Sequence, residues 1–172
     1  LLDKMALVGK IVDMFSRTHF FLNSFFSNPV LLAGIFSWFF AQFIKTVIHL
    51  LTRKVKSFRD VIELLVWRTG GMPSSHSALV TSLSTSIGIR NGLESDLFIL
   101  SLFFALVVIR DAVGVRRSSG IQAKTINEMG DSLSQKKVLS YRPIKEVDGH
   151  KPIEVIVGAL LGVSMSFAFF YL

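Results

Sequence analysis

The sequence predicts an all-α, polytopic membrane bundle of about four transmembrane helices, with an amphipathic helix ahead of it, in one domain. Three observations predict it. Half of the 172 residues are apolar, with Phe alone occurring 16 times, and they are gathered into runs rather than scattered. Four of those runs reach or approach the roughly 20 residues that a bilayer crossing takes. Three of the four start at a proline (Pro29, Pro73 or Pro152), a residue suited to the first position of a helix.

Residues 1–27 come first. Leu1, Met5, Val8, Val12 and Phe15 recur at helical spacing, with Asp3, Lys4, Lys10, Asp13 and Arg17 elsewhere on the wheel. That pattern suits a helix lying in the membrane interface. The bundle proper is expected over 28–172. Its first span runs from Val30 to Leu51, capped by Asn28 and started by Pro29. The second follows Pro73 and reaches about Ile89; it is rich in serine, which favours close packing between helices over lipid contact. The third runs from Leu97 to about Val113. The fourth starts at Pro152 and contains Gly158 and Gly162, a spacing that lets another helix approach closely.

Four spans place the first and third loops on one side. These two loops, including the long segment from Arg110 to Lys151, hold most of the Lys and Arg, whereas the second loop, "RNGLESD", is nearly neutral. The positive-inside rule then directs the two long loops to the cytoplasm, and the expected location is the bacterial inner membrane. A net charge of +7 fits an anionic partner, either lipid headgroup or phosphate; nucleic acid is not expected. With no cysteine, disulfides and thiolate metal sites are excluded.

Chemistry is concentrated at two proline-marked helix starts on the loop-bearing side. In "MPSSHS", the first amides of a helix and the hydroxyls of Ser74 and Ser75 form a cradle suited to phosphate, with His76 one turn in as a proton donor. In "DGHKPIE", Glu154 lies four residues beyond His150, close enough to orient the imidazole and raise its basicity for attack on phosphorus. A plain N-cap and a dipole-complementing carboxylate are the structural alternatives. Arg110, Arg116 and Arg117 supply guanidinium groups for phosphate oxygens, and Lys45 is a cation placed within or beside an apolar run, where an idle charge is expensive. His19 and His49 read as interfacial or packing residues.

These residues together suggest a family. "GGMPSSHSA", "RDAVGVRRSSGIQAKTIN" and "GHKPIEVIVGALLG" resemble the divergent branch of the type 2 phosphatidic acid phosphatase (PAP2) superfamily, over most of the chain from about Ala41 onward. Pro73 to His76 match the family's PSGH with serine for glycine, and His150 with Glu154 match its HxxxD with glutamate for aspartate. The resemblance implies His150 as nucleophile, Glu154 as its orienting partner, His76 as general acid, and Ser74 and Ser75 as phosphate binders. The family's other arginine and lysine positions are not reproduced: Ile144 stands six residues before His150. Arg110, Arg116 or Arg117 substitute there, and Lys45 and Arg68 are candidates for the upstream basic groups.

The expected activity is a metal-independent, cofactor-free hydrolysis of a lipid phosphate or pyrophosphate through a phosphohistidine. The alternative is a non-catalytic binder or translocator of lipid phosphates. A metal site built on His76, His150 and Glu154 is a sparser third reading. A homodimer is a further expectation, because four spans enclose a site poorly.

Overall fold

The computed structural model describes residues 13–14, 17–52, 71–146 and 149–172. Every regular element among them is helical: α1 (Pro29–Thr52), α2 (Ser75–Asn91), α3 (Asp96–Arg110), a π-helical turn (Asp111–Val115), α4 (Arg116–Gln135) and α5 (Pro152–Tyr171). Of the amphipathic segment expected over 1–27, residues 17–26 are helical and exposed; Leu1, Met5, Val8, Val12 and Phe15 lie outside the described residues, as does Arg68.

Local chemistry sets where the helices start and stop. Asn28 Oδ1 accepts from the Val30 amide at 3.0 Å, and Pro29 needs no partner for an amide it lacks. Ser74 caps α2 and Ser95 caps α3, its hydroxyl accepting from the Phe98 amide at 3.2 Å. Gly92 closes α2, its amide donating to the Gly88 carbonyl at 3.0 Å.

Among the described residues, three helices are long and apolar enough to cross a membrane: Pro29–Thr52, Asp96–Gln135 and Pro152–Tyr171. The second of the four expected spans does not meet that measure. At 17 residues and serine-rich, α2 is the central post, packed against α5, α1 and α3. Its Ser77, Ser82, Ser84 and Ser86 are buried. They bond within the bundle: Ser82 and Ser86 meet Ser166 of α5 at 3.0 Å each, and Ser84 meets Ser101 of α3 at 3.3 Å. A polar post is tolerable there because each hydroxyl finds a partner inside the protein.

The α2–α5 contact is close because α5 has no side chain at two positions. A Cβ on Gly158 would overlap the Ser74 carbonyl, and one on Gly162 would overlap the Ala78 carbonyl and the Thr81 hydroxyl. Helices α1 and α2 run antiparallel, as the Arg90–Asn28 hydrogen bond of 3.0 Å records.

The third span differs from expectation at its end. Where a loop is expected from Arg110, the chain stays helical from Asp96 to Gln135, 40 residues without a break. At 1.5 Å per residue that is about 60 Å, twice the hydrocarbon thickness. No proline interrupts it, and the π turn absorbs Gly114. Beyond Gln135 the chain returns along α4: the Tyr141 ring covers Gly130, its hydroxyl donates to Asn127 Oδ1, and Asn127 Nδ2 donates to Glu146 Oε1 at 2.7 Å.

Candidate active site

Two helix N-termini meet at one end of the bundle. The Ser74 amide, just ahead of α2, donates to the Glu154 carbonyl in the first turn of α5 at 2.9 Å. Gly158 packs beneath the same Ser74. The two sequence motifs are thus joined by backbone, and the positive ends of both helix dipoles converge.

Glu154 occupies the third position of α5, where a glutamate reaches back to the chain before the helix. Its Oε2 accepts from the Lys151 amide at 3.2 Å and lies 3.0 Å from His150 Nδ1. A carboxylate only accepts, so the imidazole donates through Nδ1, and in the neutral ring Nε2 then carries the lone pair. His150 is only 4% exposed. Its backbone amide donates to the Ala112 carbonyl in the π turn at 3.2 Å, and Gly149 presses so closely on the Arg117 backbone that a Cβ would overlap it. Three elements therefore fix this histidine.

His76 is half-buried one position inside α2 and lies within electrostatic reach of Arg116, His150, Lys45 and Asp111. Lys45 comes from α1. Its stem runs beneath Gly71, whose φ of +83° lets the chain fold over it; Cγ and Cδ lie 3.8 and 3.9 Å from where a Gly71 Cβ would be. Lys45 is 6% exposed and within electrostatic reach of Glu154, yet no carboxylate among the described residues stands at ion-pair distance from it.

The remaining candidates divide. Ser74 and Ser75 are both buried, but the Ser74 hydroxyl is engaged in capping: it accepts from the Ser77 amide at 3.4 Å and from the Ser77 hydroxyl at 2.9 Å. Its amide is tied to α5, and its carbonyl accepts from the Ala78 amide within α2. Arg116 reaches toward His76 but pairs with Asp111 at 2.7 Å. Arg117 contributes its backbone to the His150 turn. Arg110 is set apart, exposed on the outer side of the helical rod among Leu106, Val113 and Ser118. Among the described residues, no group of three His, Asp or Glu side chains is arranged to hold a metal ion.

Two contributors escape sequence reasoning. Asp111 is one, and the Ala112 carbonyl is the other. Their signal is a spacing: Asp111 and Arg116 are five apart, which an α-helix separates and a π turn aligns. The Arg116 amide accordingly bonds to the Asp111 carbonyl.

The chain is 38% identical to the membrane protein YuiD of Bacillus subtilis (strain 168) over 156 residues, covering 84% of this chain and 96% of that one. No solved structure matches it. The family model described as the divergent PAP2 family matches residues 26–165, from α1 into α5 and including both histidine-bearing helix starts, and the chain belongs to that family.

Proposed function

We propose that this membrane protein hydrolyses a lipid phosphate or pyrophosphate through a phosphohistidine on His150. The observation that carries the reading is the His150–Glu154 pair of 3.0 Å, anchored where two helix N-termini meet. The carboxylate holds Nδ1–H, so Nε2 is the nucleophile. As Nε2 bonds to phosphorus, the bond from phosphorus to the leaving oxygen breaks (the lipid oxygen of a monophosphate, the bridging oxygen of a pyrophosphate), and His76 gives that oxygen its proton. Water then attacks phosphorus, returns a proton to His76 and breaks the P–N bond, releasing phosphate. Lys45, Arg116, the Ser75 hydroxyl and the free amides of α2 balance charge on the phosphoryl oxygens. The active-site end faces the cytoplasm in this reading, at the inner membrane.

Phosphate release from a panel of lipid phosphates and pyrophosphates, without added metal, tests it. His76→Ala is expected to slow release by roughly 10²–10⁴-fold. His150→Ala should abolish it and abolish acid-labile phosphoprotein in quenched reactions. One observation favours a binder without chemistry: Asp111 already answers the Arg116 charge. Headgroup binding that persists while wild type and His150→Ala are equally inactive would establish that reading and sink the enzyme.

A further inference from the structure

The outer face of the helical rod carries a groove that the histidines do not use. It is a cavity of about 1000 Å³ along the end of α3, the π turn and the start of α4. Leu106, Ile109 and Val113 line its apolar part, and Arg110, Ser118 and Gln122 line the polar part. Leu106 and Ile109 lie in the apolar stretch just ahead of Arg110, Val113 lies three residues beyond it, and Ser118 and Gln122 follow where the helix becomes polar.

Arg110 supplies the second argument. It is exposed, and among the described residues no carboxylate stands at ion-pair distance from it. The adjacent acid, Asp111, is turned to Arg116. A guanidinium left unanswered at the end of an apolar run is complementary to a phosphodiester at the same depth. An inorganic anion would satisfy only the arginine. A second protein copy would cover the apolar wall, an outcome that the test below reads directly. An amphiphile matches both parts of the lining, its apolar tail against Leu106, Ile109 and Val113 and its anionic head at Arg110.

We propose that this groove binds an anionic membrane phospholipid. Its phosphate lies on Arg110, with Ser118 and Gln122 as hydrogen-bonding neighbours, and an acyl chain lies along Leu106, Ile109 and Val113. The site is separate from the histidines and does not depend on their being catalytic. Gly114 provides a way to close it: a Cβ there would meet nothing within 4 Å, so a larger side chain enters open space without distorting the rod.

The test uses the full chain in phosphatidylcholine nanodiscs with a photoactivatable phosphatidylglycerol, and in parallel a photoactivatable phosphatidylcholine, followed by peptide mapping. The phosphatidylglycerol probe is expected to label residues 106–122 selectively. Arg110→Gln should lower that labelling about tenfold, the loss of one charge-assisted contact. Gly114→Leu should lower it comparably, with an unchanged melting temperature vouching for the fold of each variant. Equal labelling by the two probes, labelling indifferent to both substitutions, or displacement by inorganic phosphate would overturn the proposal. So would a second copy in the groove. Because the chain has no cysteine of its own, a Ser118→Cys variant that forms disulfide-linked dimers in the membrane would reveal one.

Discussion

The α2–α5 seam and the α3–α4 rod are both helical, yet they are held by different physics. Along the seam, glycine and serine bring two backbones into contact, and Ser82, Ser86 and Ser166 share hydrogen bonds that no lipid could supply. The rod is apolar through α3, where Leu100, Phe103, Phe104 and Val107 face outward, and then polar through α4. Its α3 half packs on α2 of the seam, where Ser101 meets Ser84, and its π turn meets α5 where Ala112 receives the His150 amide. Position is therefore set by the seam, while the rod brings charge to it. A site built from both inherits the rigidity of the first and the reach of the second.

The comparison breaks most completely at Gly158. Gly158→Leu drives a side chain into the Ser74 carbonyl, and overpacking of this kind costs about 1–3 kcal/mol or more. Loss of cooperative thermal melting in detergent is the expected result. A variant that melts like wild type would mean that the seam does not organise the bundle.

A smaller effect separates the chemistry of the two regions. Glu154→Gln keeps an acceptor for the Lys151 amide but loses the charge facing His150, so turnover should fall by roughly 10²-fold with little change in melting. Arg116→Gln on the rod should cost only about tenfold, since Asp111 already answers part of its charge. Equal losses would show the rod's charge to matter as much as the seam's geometry.

Ser166→Ala removes a buried hub, and the expected cost is about 1 kcal/mol, read as a modest fall in melting temperature. Smallest is Gly114→Ala on the rod. With open space around it and a better helix former in place, stability should rise by less than about 1 kcal/mol. The opposite signs of these last two substitutions are the sharpest statement of the contrast.

Much of the seam is legible in the sequence because its determinants are local. Pro73 and Pro152 mark helix starts, four-residue spacing joins His150 to Glu154, and Gly158 and Gly162 announce a close neighbour. The rod is less legible. Apolar periodicity ends near Arg110, so hydropathy stops the helix there, although backbone hydrogen bonding continues to Gln135. What continues it is an amphipathic segment whose inner face is covered by Tyr141, a contact between distant residues. The π turn is hidden for a similar reason: it shifts the helical phase by one residue, which sends Arg110 outward and Arg116 toward His76. Composition also leaves α2 looking like the other apolar runs, whereas its 17 residues are bonded through serines at the centre of the bundle.

Glu154 Oε2 holds both the Lys151 amide and the His150 ring. One oxygen atom thereby serves as the cap of α5 and as the anchor of the imidazole. Glutamate, rather than the aspartate of the family's usual pattern, is the residue whose length suits the third position of a capped helix. The consequence is a loss of independence. Any drift at residue 154 is judged twice, once by the helix and once by the histidine, and the two cannot be adjusted separately.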